Sequence, residues 1–315
     1  MTAYRALEQP RIGWIGAGRM GLQMAARLLD AGHDVAIYNR TAAKAAPVVS
    51  RGAVAVERPA DLADRDVVFT MVSGSDDLLQ ITTGTDGVLT DPGQSPSLLV
   101  DFSTVSMDAS AAVREAGRRR DTDFLAAPVS GNPKVVSAGK LSLAVSGSQD
   151  TFTAAEPLLA LFGTRVTYVG DDEVARLVKI CHNVLLGVVI QALSEVTVLA
   201  EKGGTSRAAF LEFMNHSVLG SMFTRYKSPA LVNLDFTPTF TNPLLLKDFD
   251  LGLAAARDLQ APMPVASAAA AMVASALGAG YRTEDFATLI LEQARRSGIT
   301  LAAENVKVDD GLEGP

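Results

Sequence analysis

The sequence predicts an α/β first half joined through one long helix to an all-α second half. Three observations carry that expectation. Short, apolar strands alternate with helical stretches up to about residue 168; strand signals then stop; and from Glu173 to Lys202 helical periodicity runs without proline, with Gly187 the one glycine in it. With 315 residues, 48% of them hydrophobic, the chain is long enough to bury a core in each of two domains. The expected division is 1–168, 169–303 and an acidic, glycine-containing tail, 304–315, read as disordered.

The first element is the strand Arg11-Ile12-Gly13-Trp14-Ile15, which runs into Gly16-Ala17-Gly18-Arg19-Met20-Gly21 and then the helical Leu22 to Leu29. This is a dinucleotide fingerprint in strand–turn–helix context. Gly16 permits the tight turn, Gly18 lets backbone N–H groups approach a pyrophosphate, and Gly21 lets helix and strand pack closely. Ala17, Arg19 and Met20 complete the cofactor-binding segment of what is therefore a Rossmann domain. The second strand, Asp34 to Tyr38, ends in Asn39-Arg40-Thr41, where NAD-preferring sites place a carboxylate for the ribose 2′-OH. A guanidinium and a hydroxyl there suit a 2′-phosphate, with Lys44 adding to the positive field. NADP (as NADPH) is the expected cofactor and NAD the weaker fit.

Val67 to Val72 and Leu98 to Phe102 read as buried parallel strands, so Val72-Ser73 and Ser103-Thr104 at their carboxyl ends should face the cofactor. Phe124 to Ala127 leads into Pro128-Val129-Ser130-Gly131-Asn132, and Leu141 to Val145 and Val166 to Val169 finish the sheet. After the long helix, stopped by Gly203-Gly204, helices are expected at Arg207 to Asn215, Leu245 to Leu259, Pro264 to Leu277 and Thr283 to Ser297. Ser228 to Pro243 reads as a proline-rich connector.

A net charge of −7 argues against a nucleic-acid partner. The one compact basic run, Arg118-Arg119-Arg120, reads as the solvated end of a helix. A single cysteine, Cys181, excludes an intrachain disulfide and suits a reducing compartment. No signal peptide is visible, and the Ala-rich run Ala266 to Ala276 is too short and weakly apolar for a bilayer span, so the expectation is a cytoplasmic protein without a membrane partner. His33, His182 and His216 lie in unrelated segments, and no metal site is expected.

Chemistry is expected on the long helix. Lys179 and Asn183, at i and i+4, share one face; the lysine could exchange a proton with a substrate oxygen that the amide orients.

With these motifs in hand, the chain resembles the β-hydroxyacid dehydrogenases typified by 3-hydroxyisobutyrate dehydrogenase, with a 6-phosphogluconate dehydrogenase-type NAD(P)-binding domain. The resemblance covers nearly the whole chain. Ile12 to Gly21 is similar to the family's cofactor motif; Asp101-Phe102-Ser103-Thr104 and Ala127-Pro128-Val129-Ser130-Gly131 to its substrate-side motifs; Lys179-Ile180-Cys181-His182-Asn183 to its catalytic helix; and Leu246-Lys247-Asp248 to its lysine–aspartate pair. The resemblance implies that Lys179 is the catalytic acid or base, that Asn183 helps to hold the substrate, and that Ser130, Gly131 and Asn132 receive its carboxylate. Thr104 and Lys247 would close on the nicotinamide side. It also implies a small carboxylate-bearing substrate, a β-hydroxy acid or its aldehyde or keto acid.

The chain departs from the family pattern at Asn132, Val135-Val136 and His182. Lys247 could instead serve as a surface ion pair with Asp248 or Asp250, and His182 reads as a packed or surface residue rather than a second acid. Arg176, one turn before Lys179, is a candidate positive neighbour that would lower the lysine's pKa. Imine reductases share this fold but generally lack the lysine, and a non-catalytic dinucleotide-binding module would be expected to lose it. The Ala-rich helices of the thin second domain lead us to expect a homodimer or homotetramer, with the active site in the cleft between domains.

Overall fold

The computed structural model describes residues 4–131, 135–136 and 139–311. The chain forms two compact units, Met1–Lys179 and Ile180–Pro315. The boundary expected after residue 168 falls inside the first of these.

The first unit is built on a nine-stranded sheet. Its parallel part comprises β1 (Ile12–Ile15), β2 (Val35–Tyr38), β3 (Val54–Ala55), β4 (Val67–Thr70), β5 (Leu98–Asp101) and β6 (Asp123–Ala126), in the spatial order β3-β2-β1-β4-β5-β6. Then β7 (Val129–Ser130) and β8 (Ser142–Ser146) pair antiparallel, β8 also pairs antiparallel with β6, and β9 (Arg165–Gly170) runs parallel to β8. β1, β4 and β5 are buried along their whole length, as a sheet covered on both faces requires. Alternation along the strands divides their side chains between two cores. Trp14, Phe69 and Phe102 stack on one face with Phe162, centroids 5.0 to 6.1 Å apart. Met24 and Leu28 of α1 (Arg19–Asp30) belong to that core. Ile15, Val68 and Leu99 point the other way, into a core shared with Leu78 of α3 (Ser75–Thr83) and Val113 of α4 (Met107–Arg118). A short turn of helix, α2 (Ala46–Val49), and the helix α5 (Gln149–Leu159) complete the layers.

Because β1 lies between β2 and β4, the chain leaves β1 in one direction and returns on its other side. The crevice at such a switch point, beyond the carboxyl ends of β1 and β4, is where an open α/β sheet holds its ligand.

The long helix expected from Glu173 is α6 (Val174–Lys202). It begins in the first unit and ends in the second. It is long and apolar enough to cross a membrane by composition, and half of its most apolar window is buried inside the protein. The second unit continues with α7 (Arg207–His216), α8 (Met222–Asn233), α9 (Asn242–Asp258), α10 (Pro264–Gly278) and α11 (Leu289–Arg296). Close approach explains Gly187 in α6: a Cβ there would sit 2.5 Å from the Phe249 ring of α9.

Two expectations change here. Part of the stretch read as connector, Ser228 to Asn233, is helical despite Pro229, because Ser221 and Thr224 form a reciprocal cap at the start of α8 and Leu231 and Val232 are fully buried at its end. The described part of the tail, residues 304–311, carries no regular structure but is tied down: Glu304 accepts from the N–H groups of Arg207 (2.7 Å) and Ala208 (3.1 Å) at the head of α7, and Asn233 exchanges two hydrogen bonds with Val306. Composition reports the low apolar content of this segment, not those anchors.

Candidate active site

Beyond β1 the chain can hold only glycine at two positions. Gly16 has φ +113°, and a Cβ on it would lie 2.1 Å from the Met71 carbonyl oxygen; one on Gly21 would lie 2.2 Å from the carbonyl oxygen of Gly16. Gly18 caps α1 without a side-chain hydrogen bond, the first turn carries no acid, and a Cβ at Gly18 would meet nothing within 4 Å. The head of α1 thus presents its N–H groups and the positive end of its dipole to open space, which suits a pyrophosphate. Ala17 N–H donates to Asn39 Oδ1 at 2.7 Å, and Asn39 Nδ2 donates to the Thr41 carbonyl at 2.8 Å, so Asn39 locks the two loops together.

A cleft of about 190 Å³ opens there, lined among others by Gly16, Gly18, Asn39, Arg40, Thr41, Lys44, Val72 and Ser73. Arg19 is exposed and Met20 half-buried beside it in sequence, at the start of α1. Asp77 also lines the cleft and pairs with Arg40, Nη1 to Oδ1, at 2.9 Å. A larger depression of about 400 Å³ opens among Arg58, Asp61, Asp64, Asp86 and Asp91, an acidic surface that holds none of the expected site residues.

The ends of β4 and β5 are organised by Asp101, which is fully buried. Its Oδ1 accepts from Thr70 Oγ1 (2.5 Å) and Ser103 Oγ (2.7 Å), and Ser103 Oγ in turn accepts from the Val72 N–H (2.8 Å). Its Oδ2 meets Arg176 Nη2 at 2.7 Å, with both side chains out of solvent. Arg176 also donates to the Ser103 carbonyl (2.8 Å) and to Ser110 Oγ (2.9 Å). Arg176 is therefore no unbalanced charge beside Lys179; its guanidinium is matched at contact distance by Asp101 and serves as a strut. The strut ties the first turn of α6, and with it half-buried Lys179 three residues on, to the strand ends and to half-buried Thr104. A second tie, Arg114 to the buried Glu173 at 2.7 Å, holds the chain just before α6. Sequence reasoning passed over this hub, although an acid at the end of a fully buried strand is itself a signal, because such a group needs partners.

Ser130 ends β7 in register with Ser142 of β8. Gly131 follows at φ +141°, and a Cβ there would strike Leu141 at 2.6 Å. Asn132 lies outside the described residues. Of the departures after it, Val136 is fully buried in the first unit's core and Val135 packs against that core.

In the second unit Asn183 is buried and donates from Nδ2 to Asp248 Oδ2 at 2.6 Å, while Lys247 Nζ lies 3.2 Å from Asp248 Oδ1. One buried carboxylate thus gathers the amide and the lysine. The ion pair considered for Lys247 is present, between adjacent residues. His182 sits at the surface with Nδ1 2.9 Å from Asn183 Oδ1. Since that oxygen accepts while the amide nitrogen donates to Asp248, we assign the proton to Nδ1. Among the described residues no three His, Cys, Asp or Glu side chains gather as metal ligands.

Two family models match the chain in succession. Residues 11–170 match the NAD-binding domain of 6-phosphogluconate dehydrogenase, and residues 174–292 the domain described as NAD-binding of NADP-dependent 3-hydroxyisobutyrate dehydrogenase. The oxidoreductase YfjR of Bacillus subtilis is 33% identical over 89% of this chain and 98% of its own, and the 2-(hydroxymethyl)glutarate dehydrogenase of Eubacterium barkeri 30% identical over 93% and 97%. The crystal structure of a 3-hydroxyisobutyrate dehydrogenase from Salmonella typhimurium superposes with a TM-score of 0.80 at 28% identity, covering 89% of this chain and 98% of that one.

Proposed function

The chain belongs to the 3-hydroxyisobutyrate dehydrogenase family, and from that premise we propose that it is an NADP-dependent oxidoreductase that interconverts a small β-hydroxy acid with its semialdehyde or keto acid. The observation that most supports this reading is the Asp101 hub. One buried carboxylate joins the end of β4, the Ser103–Thr104 loop and the start of α6. That tie supports reading Lys179, three residues after Arg176 on α6, as the lysine that exchanges the proton.

When bound, the dinucleotide supplies or accepts the hydride. In the reducing direction Lys179, as the ammonium, gives a proton to the oxygen of the carbonyl being reduced; in the oxidising direction the neutral amine takes it back. Ser130, Gly131 and Asn132 receive the substrate carboxylate, Gly131 by a backbone turn that a side chain would close off. Asn183 orients the reacting oxygen, its own amide fixed by Asp248 and His182. Thr104 and Lys247 take the nicotinamide-side roles. NADP is favoured because the positions after β2 are Asn39, Arg40 and Thr41, with no carboxylate among them.

Replacing Lys179 tests the assignment. Lys179→Ala is expected to lower kcat by about 10²- to 10⁴-fold, the usual worth of a positioned acid or base, while NADPH affinity by fluorescence titration stays within about twofold. A kcat that survives the substitution rules out Lys179 as the proton donor.

A further inference from the structure

We propose that Asp77 sets how strongly this protein prefers NADP over NAD, by competing with the ribose 2′-phosphate for Arg40. The proposal rests on reading Arg40 as the residue that faces the 2′ position.

Arg40 follows β2 and Asp77 lies in the first turn of α3, after β4. β1 stands between those two strands, so the pair links loops from opposite sides of β1 across the mouth of the crevice. Both residues line the same cleft as Gly16 and Gly18. The Arg40 side chain is 83% exposed and that of Asp77 32%. An ion pair this open is weakly held, and Asp77 occupies one of five guanidinium donors through Nη1. A 2′-phosphate, with greater charge and three acceptor oxygens, can displace it, but the carboxylate remains in the cleft wall as a like charge. NAD presents a neutral 2′-hydroxyl instead, and for that group a carboxylate is the customary acceptor. The acid absent from the end of β2 thus enters the cleft from a different loop. The site carries one group for each dinucleotide, each restraining the other.

The test is fluorescence titration of NADPH and NADH on the full-length protein at low salt, for wild type, Asp77→Asn, Asp76→Asn and Arg40→Ala. Asp76, the next residue back, is exposed and outside the cleft lining, so its substitution removes the same charge from the same helix turn. Asp77→Asn is expected to raise the ratio Kd(NADH)/Kd(NADPH) by about five- to tenfold, well beyond Asp76→Asn, and the gain should shrink as salt screens the charges. Arg40→Ala should lower the ratio. If Asp77→Asn behaves like Asp76→Asn while Arg40→Ala still loses NADPH, Asp77 is only a helix-end charge and the inference fails with the NADP assignment intact. If Arg40→Ala leaves NADPH binding unchanged, the reading of Arg40 falls and takes the inference with it.

Discussion

Asp101 holds Thr70, Ser103 and Arg176 at once, and its removal would leave a guanidinium in the core without a counter-charge. Breaking such a buried pair from one side costs about 3–5 kcal/mol, so Asp101→Asn should lower Tm by well over what a surface substitution does; a melting curve superimposable on wild type would contradict the hub. Removing both charges carries a sharper consequence. Because Asp101 balances Arg176, the double variant Asp101→Asn/Arg176→Gln should lose stability yet move the pH profile of kcat/KM by less than about half a unit, where a net charge acting on Lys179 would shift it by a unit or more. Legibility in the sequence follows the range of the cause. Gly16 and Gly21 are readable because a backbone turn admits no other residue, and Arg40 because its place after β2 is fixed by the motif. The partners of Arg176 and Arg40 lie 75 and 37 residues away, and no local spacing announces either.

Among the elements, the Rossmann strands and α6 are legible because their apolar runs are long and uninterrupted. α8 is not, since its apolar residues keep no clear helical period and Pro229 interrupts it, and burial of Leu231 and Val232 prevails over local propensity. At α11 the decisive interaction is electrostatic. Glu292 is 1% exposed and accepts from Arg295, Arg296 and Ser275, and the arginine hydrogen bonds, Arg295 first, push its pKa down to about 2. A carboxyl held below its unfolded value stabilises the fold above the unfolded pKa, near 4.5, and that stabilisation drains away as pH falls toward 2. Because the heads of Arg295 and Arg296 stand in solvent, which screens their pull, Glu292→Gln should cost about 1–2 kcal/mol near neutral pH, with the Tm values of variant and wild type converging between about pH 5 and pH 2. A gap that stays constant across that range would show that the side chain acts through packing alone.

For the whole molecule, the second unit leaves an apolar stripe of α6 uncovered: Leu185 is 63% exposed, Val196 41% and Leu199 71%, with Leu185 and Leu199 two heptads apart. A second copy is expected to cover it, so that sedimentation finds a dimer in wild type and a monomer in Leu185→Glu/Leu199→Glu; a wild-type monomer at micromolar concentration would rule the dimer out. Substrate size is the property least legible at any scale, because fold and motif fix the hydride and the proton but leave the pocket walls to residues without a pattern. The most direct test of the central claim follows NADPH consumption by its near-ultraviolet absorbance with glyoxylate, succinic semialdehyde, tartronate semialdehyde and a cyclic imine, on wild type and Lys179→Ala. At least one aldehyde acid should turn over, with the rate collapsing in the variant. Turnover of the imine alone, or turnover indifferent to Lys179, would contradict the assignment of Lys179 as proton donor to a hydroxy-acid chemistry.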